Sequence, residues 1–352
     1  MSHLSHSPLA TARARDFDHR ALAALNFPSQ PRGGKLKFFL AAILALSVAS
    51  ELFCRFIVGL GDPPLYQADP TMEYMLQPGK TYHRFHHRFS VNAYGMRADD
   101  FPLHKSSPEE LRVLIVGDSV VYGGVRIDQR LIDTEILKRN LQRQYHRPVV
   151  IGNASAKSWG PPNELAYLKR FGTFDADVVI LALSSHDYAD APTFIPVVGI
   201  SGDYPGKRPW FAITDLLRTY ILPTYFHWGV TPPEVDRTNI TIAESERDIA
   251  VCREAERALF TFVREHNAKV ALVQHLSLPE VKGTGQPGYF ANQAVAQAEQ
   301  VPFTDDAGDL RAQLKAGKNP FFKGDPLHLN GLGQIVLART LQRAVVQALQ
   351  SN

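Results

Sequence analysis

"LRVLIVGDSVVYGG", residues 111–124, decides how the chain reads. Val113–Val116 is an apolar, mostly β-branched run, the composition of a buried strand. The run stops on Gly117-Asp118-Ser119, followed by Val120-Val121-Tyr122 and Gly123-Gly124. Glycine, aspartate and serine are ordinary turn residues. The carboxyl end of a strand is also where parallel α/β sheets bind their ligands. The stretch reads either as a plain turn or as a strand end that presents a nucleophile, and the rest of the chain decides.

Outward from this stretch, Val149–Asn153, Val178–Leu183, Val270–Gln274 and a short run at Val301–Thr304 read as further strands. Asp128–Tyr145, Asn163–Phe171, Ser245–His266 and Leu332–Leu349 read as helices. The alternation predicts an α/β domain over residues 111–352, with a parallel sheet and helices on both faces. Residues 184–243, rich in Pro, Tyr and Trp, interrupt it and read as an insertion over one edge. Within them, residues 204–228 carry an excess of aromatic and apolar side chains, and packing on the sheet is the favoured reading over a membrane-facing or glycan-binding flap. Residues 61–110 are rich in Pro, Gly, Tyr and His and read as a lead-in of turns and short strands.

The N-terminus carries a topology signal. Residues 1–34 are polar, hold Arg13, Arg15, Arg20 and Arg32, and read as a disordered cytoplasmic tail. Lys35 and Lys37 precede an apolar stretch from Phe38 to Leu60, long enough for a bilayer, which needs roughly 20 residues. Glu51 and Arg55 interrupt it but are spaced to pair on one helix face. Residues 35–60 are therefore read as a single-pass signal anchor, with a cleaved signal peptide and a buried soluble helix as rivals. The basic flank stays in the cytoplasm, so residues after 60 face outward.

The chain has 352 residues, 45% apolar and 21% charged, with a net charge of +3. That balance gives no electrostatic case for nucleic acid. Two cysteines, Cys54 in the apolar N-terminal segment and Cys252 in a helical stretch far from it, argue against a disulfide framework and a cysteine metal site. His83, His86 and His87 in "YHRFHHRF" have metal-like spacing but no partner ligands nearby, so a surface strand is expected there, with a sugar groove as the alternative. Asn239-Ile240-Thr241 matches a glycosylation sequon, a weak signal.

A second signal lies near the C-terminus. "NPFFKGDPLHLNGLGQIVLA", residues 319–338, places Asp325 and His328 three apart in a loop, just before an amphipathic helix that Asn330 is suited to cap. A serine hydroxyl needs an adjacent base to become a nucleophile. Histidine suits that role near neutral pH, and a carboxylate fixes its tautomer. Ser119, Asp325 and His328 together supply all three groups. Asp118 reads as a structural acid that bonds local backbone.

These residues resemble a known family. Gly117-Asp118-Ser119 with Asp325-Pro326-Leu327-His328 is similar to the SGNH (GDSL) hydrolase superfamily, over about residues 111–350. The lead-in "VNAYGMRADDFP" resembles membrane-anchored bacterial members found with exopolysaccharide synthesis genes. The resemblance implies a flavodoxin-like three-layer α/β/α fold and a Ser-His-Asp mechanism on esters, with Ser119 as nucleophile, His328 as base and Asp325 as its orienter. It implies an oxyanion site built from the backbone N–H groups of Ser119 and Ser158 and from His186. Ser158 and His186 stand where the family usually has Gly and Asn, with Gly160 as the other glycine assignment. No cofactor and no metal are implied.

The function expected is an esterase that removes acyl groups, acetyl first among them, from a secreted polysaccharide such as bacterial cellulose. The catalytic domain would lie in the periplasm on an inner-membrane anchor, with exopolysaccharide synthesis machinery as a further partner. The alternatives are a polysaccharide O-acyltransferase with the same triad, a lipase or thioesterase, and a catalytically weak glycan-binding or scaffold subunit.

Overall fold

The computed structural model describes residues 32–228 and 246–351. The tail up to residue 31, which holds most of the expected cytoplasmic segment, and the Asn239 sequon lie outside the described residues. Helix α1 (Arg32–Leu52) runs on as a π-helical turn, Phe53–Val58. Residues Lys35–Val58 form one helix long and apolar enough to cross a membrane. From Ser50 onward the chain is one compact unit.

Two antiparallel hairpins come first, β1 (Tyr66–Asp69) with β2 (Glu73–Leu76), and β3 (Lys80–Arg84) with β4 (His87–Val91). Strand β5 (Leu111–Gly117), the short helix α2 (Ser119–Tyr122), α3 (Asp133–Tyr145), β6 (Val149–Ser155), α4 (Pro161–Phe171) and β7 (Val178–Ser184) follow. The insertion then contributes α5 (Ala212–Leu216) and α6 (Leu222–Phe226), joined by a π-helical turn. The chain ends with α7 (Glu246–Glu265), β8 (Lys269–His275), α8 (Leu278–Val281), α9 (Pro287–Ala298), β9 (Phe303–Asp305), α10 (Ala307–Lys315) and α11 (Gly331–Gln350).

The main sheet has five parallel strands in the order β6-β5-β7-β8-β9. It is the doubly wound arrangement expected from the alternating pattern. All seven residues of β5 are buried, which explains the apolar run Val113–Val116, while the buried Arg112 is paired with Glu110 at 2.6 Å. Val113 and Ile115 pack with Leu137 of α3 and Leu337 and Leu341 of α11 on one face. Leu114 and Val116 pack with Leu168 of α4 and Leu259 and Phe260 of α7 on the other. Each such side chain contributes about 1.5–3 kcal/mol by leaving water. The strand order reverses between β5 and β7, and that switch point sets the ligand-binding edge of such sheets.

Two expectations need correction. The helix predicted from Asp128 begins only at Asp133, because Asp128 caps a separate turn through the Arg130 amide, and Ile132, extended and fully buried, breaks the helix. The last strand starts at Phe303 and not at Val301, since Pro302 has no N–H to give. The described part of the insertion packs on the first hairpin. Tyr204 packs against Tyr66 and Tyr74 of the first hairpin, Pro205 accepts the Tyr66 amide, and Glu73 accepts the Thr193 and Phe194 amides.

Candidate active site

Strand β5 ends in a tight turn that delivers Ser119 as the first residue of α2. The Asp118 carboxylate caps that helix by accepting the Val120 amide at 2.8 Å. Its other oxygen accepts the Ser184 hydroxyl at 3.0 Å, tying the ends of β5 and β7 together. Asn153 of β6 is fully buried and donates to the Val121 carbonyl at 2.9 Å. The turn that carries the serine is thus held from both flanking strands.

The lead-in holds the far side of the turn. Arg97, fully buried, donates to the carbonyls of Tyr122, Gly124 and Ile127, and its guanidinium lies 4.2 Å from the Phe89 ring centre. Burial pulls its pKa down to about 10, and it stays charged at neutral pH. Residues 61–110 are therefore part of the framework of the nucleophile turn.

The loop before α11 brings in the other two predicted groups. His328 Nε2 lies 2.9 Å from Ser119 Oγ, and His328 Nδ1 lies 2.9 Å from Asp325 Oδ2. Asp325 Oδ1 accepts the amides of Leu327 and His328 at 3.0 and 2.9 Å, so the carboxylate is locked to its own loop. Burial raises the Asp325 pKa, but the His328 ring and the two amides outweigh it and hold the carboxyl down at about 2. An ionised Asp325 accepts a hydrogen bond from Nδ1–H and leaves the Nε2 lone pair facing the serine hydroxyl. Asn330 caps α11 through the amides of Leu332 and Gly333, as its position predicts.

The groups named for the oxyanion site sit on neighbouring loops. Ser158, buried on the loop between β6 and α4, adopts φ +51°, the left-handed conformation that favours glycine. Its hydroxyl accepts from Tyr204 OH at 3.3 Å. Gly160 is the position where only glycine fits, since a Cβ there would stand 2.2 Å from the Asp190 carbonyl oxygen. His186 follows β7, with Nε2 3.1 Å from Asp187 Oδ1 and 3.7 Å from Asp118 Oδ2. That nitrogen addresses carboxylates, so oxyanion donation from this ring would require Nδ1 or a turned ring.

Asp118, His186 and Asp187 are also the group among the described residues whose ligand atoms, all within 4.8 Å, come close enough to share a cation. Asp118 is already engaged by Val120 and Ser184, and Asp187 by the Ser184 amide. The cluster thus reads as the hydrogen-bonded floor of the nucleophile turn.

Ser158 yields a direct test. The left-handed conformation costs an L-residue about 1–2 kcal/mol, while the Tyr204 hydrogen bond returns about 1 kcal/mol. Ser158→Gly is expected to shift the urea midpoint by the equivalent of no more than about 1 kcal/mol and to keep turnover, because the backbone N–H remains. A collapse of turnover in a folded variant would transfer the role to the hydroxyl.

Sequence reasoning missed one buried pair. His275, at the end of β8, has Nδ1 2.6 Å from Asp306 Oδ2 and Nε2 3.0 Å from the Leu327 carbonyl. It anchors the residue next to His328. An ionisable residue closing a strand whose centre, Val270–Val273, is apolar is the signal that marks it.

No family model and no curated protein matches the chain. Among solved structures, it is similar to a two-domain esterase active on acetylated mannans, with a TM-score of 0.44, 12% identity, and 69% of this chain and 50% of that one covered. It is similar to an acetyl xylan esterase, AlAXEase, with a TM-score of 0.41, 15% identity, and coverage of 67% and 100%. It is also similar to LAE5, an alpha/beta hydrolase enzyme from the metagenome of Lake Arreo, Spain, with a TM-score of 0.42, 14% identity, and coverage of 68% and 97%. The match to the first spans half of that protein's length.

Proposed function

We propose that the protein is a serine esterase, held in the inner membrane by residues 35–60 and facing the periplasm. Its proposed reaction removes acetyl or other short acyl groups from a secreted polysaccharide, with cellulose the candidate polymer. The reading is carried by the hydrogen-bonded chain from Asp325 through His328 to Ser119, two links of 2.9 Å at the carboxyl edge of the sheet. The acyl group of a bulky polymer suits this site because the His328 and Asp325 side chains are 33% and 25% exposed and face solvent from a surface loop. A groove of about 910 Å³ lies elsewhere, and no triad residue lines it.

The mechanism follows from the proton positions. His328 Nε2 takes the Ser119 proton as Oγ attacks the acyl carbonyl. The backbone N–H groups of Ser119 and Ser158 are the proposed donors to the oxyanion, each such donor being worth a rate factor of about 10² to 10³. The imidazolium, stabilised by Asp325, then protonates the sugar oxygen as its bond to the acyl carbon breaks, and the sugar leaves as its hydroxyl form. Water, deprotonated by His328, attacks the acyl-enzyme, releasing the acid and restoring Ser119. Membrane placement draws on the basic flank, Lys35 and Lys37, at the start of the apolar helix.

The test is acetate release from acetylated cellulose and xylan by the full chain in a bilayer. Release by the wild type is expected, with none by Ser119→Ala. A folded wild type that releases no more acetate than its serine variant overturns the esterase reading. Transfer of the acyl group to a sugar hydroxyl without net acetate release assigns the triad to acyl transfer instead.

A further inference from the structure

Two charged side chains inside an apolar helix need a physical account. Glu51 and Arg55 pair at 2.7 Å near its far end. Glu51 also accepts the amides of Ala212 and Ile213, at 2.9 and 3.1 Å, and Arg55 donates to the Trp210 carbonyl at 3.2 Å. A segment about 160 positions away in sequence thus satisfies both charges. Lys35–Val58 is about 36 Å long at 1.5 Å per residue, longer than the roughly 30 Å hydrocarbon core. The ion pair, within two turns of the end that enters the domain, then marks where the helix leaves the hydrocarbon. Whatever is bonded to it stands at the level of the headgroups.

The bonded segment has two faces. Ala212 joins Cys54 and Leu60 in a small core, with Ile213, Leu216 and Tyr220 packed on it. Away from that core, Trp210 is 91% exposed, and Phe211, Tyr225, Phe226 and Trp228 are exposed as well. Beside them, Phe53, Phe56 and Ile57 of the helix end are exposed too. A water-facing surface has no use for such a cluster, whereas amphipathic aromatic rings settle at the membrane interface. The charges agree. Lys207, Arg208 and Arg218 of residues 204–228 are exposed, while the one acidic residue, Asp215, is buried against Arg84. Anionic lipid headgroups complement that balance.

We propose that residues 210–228 form an aromatic platform seated in the headgroup layer beside the helix exit. This holds the domain to the bilayer at a second place, and it rests on the anchor reading above. The occupant is the lipid interface because the platform is bonded to the helix end itself. The sheet-packing reading of residues 204–228 accounts only for Tyr204 and Pro205, which meet the first hairpin.

The chain carries its own probes. Of its three tryptophans, Trp159 is 2% exposed and reports the interior, while Trp210 and Trp228 lie on the platform. The full chain is placed in lipid nanodiscs containing phosphatidylcholine with a nitroxide on the acyl chain close to the headgroup, or deep on it. Flotation of the same chain with liposomes is measured in parallel. The platform predicts strong quenching by the shallow label and weak quenching by the deep one. It predicts loss of that quenching in Trp210→Phe/Trp228→Phe, where Trp159 alone emits. A chain that floats but is not quenched overturns the platform and leaves the anchor standing. A chain that does not float overturns both. Emission that changes with soluble cello-oligosaccharides and not with labelled lipid assigns the surface to glycan and also overturns the platform.

Discussion

Ser119→Ala is expected to lower kcat for p-nitrophenyl acetate by at least about 10⁴-fold, a loss of about 5.5 kcal/mol of transition-state stabilisation. The substitution removes one hydroxyl, 2.9 Å from His328 Nε2, from a residue that is only 5% exposed, so the fold is expected to stay intact. His328→Ala is expected to cost as much, and the double variant no more than either, because the two groups act as one unit. Asp325→Asn keeps the loop geometry but can donate to Nδ1, which puts the ring proton on the wrong nitrogen. A loss of similar order, about 10⁴, follows. Near-UV circular dichroism establishes that each variant is folded, and initial rates give the comparison. Turnover by Ser119→Ala at the wild-type rate would remove the serine from the mechanism.

The second large effect concerns stability. Both ring nitrogens of His275 face acceptors, the Asp306 carboxylate and the Leu327 carbonyl, so the ring donates from both and carries a positive charge. Burial opposes that charge, but Asp306 and the two hydrogen bonds prevail and raise the pKa to about 9. His275→Ala leaves Asp306 buried without its partner and is expected to cost about 3–5 kcal/mol, read as a lower urea midpoint. The raised pKa also sets a pH window. The histidine's contribution is complete below about pH 6.5, the ordinary histidine value, and is lost as the pH rises through about 9. The wild type is therefore expected to lose stability between those values, and His275→Ala to show a flatter profile there. Equal midpoints for the two proteins across that range would show that the pair is not ionised. Because Leu327 precedes His328, the same substitution is expected to lower turnover by loosening the loop that holds the base.

The local chemistry of the site is legible residue by residue. The apolar run Val113–Val116 followed by Gly-Asp-Ser requires a buried position and a polar carboxyl end, and Asp325 and His328 are three apart in one loop, so their pairing needs no distant partner. The sheet is legible for the same reason, because burial on both faces writes itself into composition along the strand. Helix α9, rich in Ala and Gln, and the short α10 carry weaker signals of this kind.

Other features depend on segments that meet only after folding. Glu51 and Arg55 look like flaws in a membrane helix until residues 210–213 bond to both. Arg97 looks like one of many surface arginines until three carbonyls around the nucleophile turn close on it. His275 finds its carboxylate 31 positions away, on the loop after β9. Hydrophobic periodicity records how deep each residue lies, and a one-dimensional pattern can carry that. A buried charge is decided by its partner, and the partner is chosen by topology.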